Sequence, residues 1–285
     1  MENRKKAEAL FLEALKTARE GRTVSWTEPL TAEEWRAFFL PLICDAVSGC
    51  PAARASGLAD FVLYRQETMQ IAAKQAMKTQ ELFQLLSYLG EQGIYPLVVK
   101  GVVCRNLYPK PDLRRSGDED LYLPADLAAP CQKALEAFGM RLQNDVQEDE
   151  SELSFVKDGW QLHIELHLCL FPSDSAYGEL NRLFDDAYSR RIPLRIGENE
   201  LQTMDYTDHF VYLICHAFKH FLHSGFGLRQ VCDIVVYANS YGPHIHWDEA
   251  LDKLRSVRAG RFAAALLRIG EKYLGFDPDK ACCPG

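Results

Sequence analysis

Ser116-Gly117-Asp118-Glu119-Asp120-Leu121-Tyr122-Leu123 is the stretch on which the reading of this chain turns. Asp118 and Asp120 stand two residues apart at the head of an apolar run. In a strand, side chains alternate, so both carboxylates project from one face. Two carboxylates that close repel and need a cation or a proton between them. A hard divalent ion with oxygen ligands, such as magnesium, meets that need. Glu119 then points to the opposite face and requires a partner or water there. Upstream, Leu97-Val98-Val99 reads as a short strand, Lys100-Gly101 as a turn and Val102 to Leu107 as a short helix. Between Lys100 and Arg115, the cations Lys100, Arg105, Lys110, Arg114 and Arg115 are opposed only by Asp112. Carboxylates for a metal beside cations for phosphate are what a site binding both would use. Gly101 permits close backbone approach, and the helix behind it offers free amide donors to an anion.

Outward from this stretch the pattern changes twice. Residues 1–93 read as helical: an amphipathic start at Glu8–Leu15, a capping box at Thr31-Ala32-Glu33-Glu34, and a long helix from about Ala59 to Leu89 stopped by Gly90 and Gly93. Residues 94–175 read as a mixed α/β core. Asp126 begins a helix that Gly139 ends, and Met140 to Leu142 start a strand. Leu153–Lys157 and Trp160–Leu170 form a hairpin about Asp158-Gly159. In its second arm Trp160, Leu162, Ile164, Leu166 and Leu168 share one face, while Gln161, His163, Glu165, His167 and Cys169 share the other. Residues 176–285 read as helical, with helices at Tyr206–Leu222, Leu228–Ala238 and Trp247–Tyr273 and a frayed tail at Cys282-Cys283-Pro284-Gly285. The expected fold is α+β: a small mixed β-sheet core flanked by N-terminal and C-terminal helical regions.

Leu97-Val98-Val99-Lys100-Gly101, Leu107-Tyr108-Pro109, Arg114 and Gly117-Asp118-Glu119-Asp120-Leu121 together resemble the nucleotidyltransferase superfamily, with its polymerase-β-like fold. More narrowly they resemble a poorly characterised bacterial family with a Lys-Gly motif ahead of the acidic pair. The downstream strand His163-Ile164-Glu165-Leu166-His167 and the helix carrying His216 and Lys219-His220, followed by Arg229 and Asp233, fit the same family over roughly residues 75–240. The resemblance implies a catalytic core in which two strand carboxylates and a third from a neighbouring strand hold two magnesium ions, or manganese. A nucleoside triphosphate, such as ATP, lies over them, an acceptor attacks its α-phosphate in line, and pyrophosphate leaves. Carried over, Asp118 and Asp120 are the metal ligands. Glu165, whose strand position and polar face fit independently, is the third catalytic carboxylate. Lys100, Gly101, Arg105, Arg115, Ser116, Lys219 and His220 are the nucleotide-binding candidates. The chain departs from the superfamily at Val102, where Gly or Ser usually follows the glycine, and at Glu119, where the residue between the aspartates is usually apolar.

Other readings stand beside this one. His216, His220 and His223 have a spacing that can bind zinc, although Ala217 replaces the glutamate of a His-Glu-x-x-His peptidase. His163, Glu165 and His167 can be read as a zinc hydrolase site. Arg229 and Asp233, four apart, read as an intrahelical pair. Phe210, Tyr212, Phe218 and Phe221 read as core. A non-catalytic nucleotide-binding or toxin–antitoxin-type regulatory protein on the same fold is the alternative from another class.

Composition narrows the partners. The 285 residues are 47% hydrophobic and 25% charged, as in a soluble globular protein, and the net charge of −8 argues against long nucleic acid as a substrate. The acceptor is therefore expected to be a small molecule or a protein. Nine cysteines, most inside apolar stretches and without a Cys-x-x-Cys pair, read as free thiols in a reducing compartment. The Met1-Glu2-Asn3-Arg4-Lys5-Lys6 opening lacks a signal-peptide core, and no apolar run is long enough to span a bilayer. The expected location is cytoplasmic.

Overall fold

The computed structural model describes residues 9–10, 12–13, 58–143, 152–223, 225 and 227–284, with residues 58–67 as backbone only. The capping box at Thr31–Glu34 lies outside the described residues. The long expected helix is α1 (Leu58–Glu91), and Gly93, at φ 74, follows it in the left-handed region. Leu82, Leu85 and Leu89, three and four apart, are fully buried and bring one stripe of α1 to the core.

A seven-stranded sheet forms in the order β3-β4-β5-β2-β1-β7-β6. Strand β1 (Leu97–Val99) is buried throughout, as its apolar composition requires at the middle of the sheet. The short helix α2 (Gly101–Arg105) follows, then β2 (Glu119–Tyr122), antiparallel to β1 with Val99 opposite Asp120. Helix α3 (Ala128–Ala137) leads through Gly139, at φ 91, into β3 (Arg141–Leu142). Asp126 lies in a 3₁₀ turn before α3, whose N-cap is Leu127, without a side-chain capping bond. Strands β4 (Glu152–Val156) and β5 (His163–His167) make the expected hairpin, with Gly159 at φ 79 in its turn. Because β5 then lies parallel to β2, the sheet is mixed.

The stretch from 176 onward is not all helical. Strands β6 (Ile192–Ile196) and β7 (Asn199–Thr203) form a second hairpin, and β7 joins β1 in parallel, so the sheet reaches well past residue 175. Pro193 fits because β6 is an edge strand, where a missing amide costs no ladder bond. Helices α4 (Tyr206–His223), α5 (Leu228–Tyr241), α6 (Trp247–Ser256) and α7 (Gly260–Ile269) follow. The tail is held to Ala281, whose carbonyl accepts from Trp247 Nε1 at 2.9 Å. No helix among the described residues is long and apolar enough to cross a membrane, and the described cysteines are all free.

Gly101 is a packing requirement as well as a turn. A Cβ there would lie 2.1 Å from Glu119 Oε2, at a φ of +20. Gly101→Ala is expected to destabilise the protein by about 1–3 kcal/mol through this overlap, read as a lower urea midpoint with an unchanged m-value.

Candidate active site

The two faces of β2 do different work. On one, Asp120 lies directly opposite Glu165 across the parallel β2–β5 pair, and Asp118, two residues back, shares that face. Asp118 stands close enough to Glu165 to help raise its carboxyl. His167, two residues beyond Glu165, brings Nε2 to 3.0 Å from Asp120 Oδ1. Asp120, Glu165 and His167 each offer a ligand atom, all within 4.8 Å of one another. Burial, with Asp118, Glu152 and Asp120 nearby, pushes the Glu165 carboxyl up to about 9. Asp120 goes the other way. Burial alone would raise it, but Lys100, with Nζ 2.8 Å from Oδ1, and His167 outweigh that and hold it well below the carboxylate range.

On the other face Glu119 is fully buried, which an unpaired carboxylate would not tolerate. Arg105 Nη1 donates to Oε1 at 2.9 Å, Lys78 Nζ stands 3.4 Å away, and the Val102 amide donates to Oε2 at 2.8 Å. Ser116 Oγ adds a bond at 3.0 Å. Two expectations change here. Arg105 is 1% exposed and bonded to Glu119, Ser116 and Thr79, so it is turned into the interior rather than toward a nucleotide. The Val102 amide at the start of α2 is taken by Glu119, so it is not open to a phosphate. The physical reason is the alternation of β2: the acid between the two aspartates draws the nearest cation inward.

A cleft of about 70 Å³ opens beside Asp118 and Asp120, with Lys100, Arg114, Ser116, His216 and Arg229 also in its wall and Glu165 outside it. That is several times the space one water needs, and room for a phosphoryl-sized group. The model of a family described as uncharacterised nucleotidyltransferase matches residues 54–275. The chain belongs to this nucleotidyltransferase family. No curated protein matches it. Two solved structures are similar at low identity. One is the antibiotic-resistance factor ANT(2'')-Ia, 11% identical with a TM-score of 0.44, covering 66% of this chain and 96% of that one. The other is an antigenic nucleotidyltransferase-like protein from Paracoccidioides brasiliensis, 13% identical with a TM-score of 0.42, covering 67% and 92%.

In the nucleotidyltransferase the remaining candidates are spread unevenly. Lys100, Gly101 and Ser116 line the cleft. Arg115 is exposed, and its carbonyl accepts from Arg229 Nη1 at 3.1 Å. His220 Nε2 lies 3.1 Å from His216 Nε2, so it meets the cleft wall through His216, while Lys219 is half-buried on the same helix and outside the cleft lining. Asp233 is paired with Arg114, through Nε at 3.1 Å, and with Tyr108, at 2.8 Å, rather than with Arg229. That metal-capable group does not include Asp118, although it shares the face, nor His163, which bonds Ser154, nor His216, His220 and His223. Sequence reasoning placed His167 on the polar face of its strand beside Glu165, and Arg114 among the local cations and the family's motif residues, without a partner for either. It missed Lys78 and His209 altogether, because their partners lie 41 and 109 residues away.

Proposed function

We propose that this nucleotidyltransferase moves a nucleoside monophosphate from a nucleoside triphosphate, such as ATP, to a small molecule or a protein side chain, with pyrophosphate leaving. We further propose that it uses Mg²⁺ or Mn²⁺, two ions by the superfamily's pattern, held by Asp118, Asp120 and Glu165. The observation that carries this reading is the placement of Glu165 opposite Asp120, with its carboxyl pushed up by burial and by the acids around it. Carboxylates crowded in this way take up either protons or cations. Their hard oxygen donors suit magnesium or manganese. When bound, such an ion neutralises phosphate oxygens and activates the attacking group. The chain's own residues supply the rest. Lys100 sets a fixed positive charge beside Asp120, and Ser116 and Gly101 form the cleft wall against the phosphates. Arg115, Lys219 and His220, outside that lining, are assigned to the distal phosphates or the nucleoside on the resemblance alone. The acidic net charge of −8 supports an acceptor other than long nucleic acid. Free, mostly buried cysteines support a cytoplasmic location.

The test is a thermal shift with each of the four nucleoside triphosphates, with and without magnesium, alongside pyrophosphate release with radiolabel transfer to cell extract. Stabilisation that needs both ligands, with label transfer, supports the reading. Nucleotide binding with no pyrophosphate released would leave the regulatory alternative instead, and no coupling between metal and nucleotide overturns the metal site.

Proton linkage gives a separate measurement. A carboxyl raised from 4.5 to about 9 stabilises the metal-free fold below pH 4.5, and that contribution is lost as pH rises toward 9. At pH 7 the carboxyl cluster around Glu165 therefore holds a proton, and a divalent ion must displace it. Calorimetry of Mn²⁺ binding in buffers of different ionisation enthalpy is expected to show about one proton released per protein at pH 7. Glu165→Gln is expected to abolish that release.

A further inference from the structure

Lys100 sits between β1 and α2 at φ 53 and ψ −112, a backbone conformation that side-chain-bearing residues avoid. Something must hold it there. Its amide donates to His209 Nε2 at 3.1 Å, across 109 residues of sequence. An amide only donates, so Nε2 is the bare nitrogen and Nδ1 carries the ring's hydrogen. That hydrogen goes to Thr203 Oγ1 at 3.1 Å, and the hydroxyl donates in turn to the Val98 carbonyl at 2.7 Å. Each group in the series has one role, and none can reverse while the Lys100 amide is bound. The series ties α4, β7 and β1 together at the residue whose ammonium lies 2.8 Å from Asp120. His209 is fully buried, and burial together with the Lys100 charge lowers its imidazole to about 3, so it stays neutral. It is not part of the cleft lining.

We propose that His209 is a positioning residue for nucleotidyl transfer: by accepting the Lys100 amide it fixes the backbone twist that sends the Lys100 ammonium to Asp120 as the site's resident cation. The catalytic part rests on the reading of Asp118, Asp120 and Glu165 given above, and the structural part does not. The alternative is that the Lys100–Asp120 pair holds the twist by itself, with His209 as core.

The test compares His209→Leu, which removes the acceptor, with His209→Gln, whose amide oxygen can reach the same position. In the full chain, His209→Leu is expected to speed deuterium exchange at the Lys100 amide at least about tenfold. It should also raise acylation of the Lys100 amine by acetic anhydride several-fold. In transfer assays kcat should fall about 10–100-fold, as for other residues that orient a site group, with KM for the triphosphate nearly unchanged. His209→Gln is expected to restore both protections and most of kcat. Should His209→Leu not fold, Thr203→Val removes the acceptor that sets the tautomer and is expected to speed Lys100 amide exchange in the same direction. Wild-type exchange and acylation in the folded Leu or Val variant would overturn the proposal, and so would a folded Gln variant that restores neither. If the protein transfers no nucleotide, the assigned reaction fails, while exchange and acylation still decide what His209 does to Lys100.

Discussion

Asp118→Asn combined with Asp120→Asn is expected to abolish the magnesium-dependent part of stabilisation by a nucleoside triphosphate and to lower transfer by a factor on the order of 10³. An ion at this position contributes several kcal/mol of charge stabilisation, and each 1.36 kcal/mol is tenfold in rate. The single variants separate ligand loss from structural damage. Asp118 adds its charge to the group of acids that raises the Glu165 carboxyl. Removing its charge should leave the metal-free melting temperature unchanged or raise it. Asp120 is the partner of Lys100 and His167. Asp120→Asn should lower the metal-free melting temperature, because the Lys100 ammonium then loses its counter-charge. A double variant that keeps metal-coupled nucleotide binding would remove the site from the aspartates.

Arg105→Met is expected to destabilise the fold by about 3–5 kcal/mol, the usual cost of leaving one member of a buried ion pair alone. For a chain of this size that is a fall in melting temperature of roughly 6–20 °C. The pair is deeply desolvated, with Arg105 1% and Glu119 0% exposed. Lys78, at 3.4 Å from Glu119, is itself shifted downward by burial, so it compensates only in part. Glu119→Gln with Arg105→Met should recover much of the loss, because both charges leave together. The measurement also separates two roles for Arg105. A nucleotide contact predicts weaker triphosphate binding at unchanged stability, while the interior pair predicts lost stability with binding preserved in the folded fraction.

These two predictions mark how far local pattern reaches. The alternation of Asp118-Glu119-Asp120 was enough to assign each side chain to a face, and the alternation of His163 to His167 did the same for Glu165. The β4–β5 hairpin was legible because Asp158-Gly159 supplies the turn its backbone needs, with Gly159 at φ 79. The β6–β7 hairpin was missed. Strand β6 does alternate, with Ile192, Leu194 and Ile196 on one face, but over five residues only, and β7 carries a single apolar residue, Leu201, so the pair gives a short and weak signal. Arg229 and Asp233 show a different limit. Their four-residue spacing permits a pair, yet Asp233 is buried and takes the cation beside it in space, Arg114, together with Tyr108.

By itself, then, the sequence determined the two acid faces of β2, the polar face of β5 that carries Glu165, the glycine turn at residue 101 and most of the helices. All of these follow from side-chain period and backbone preference over a few residues. Only the tertiary structure decided which cation serves which acid: Arg105 and Lys78 for Glu119, Lys100 for Asp120, and Arg114 for Asp233. It likewise decided that His209 meets the Lys100 amide. A buried charge or amide needs its partner at hydrogen-bond distance whatever the separation along the chain, and the packing of sheet against helices sets that distance.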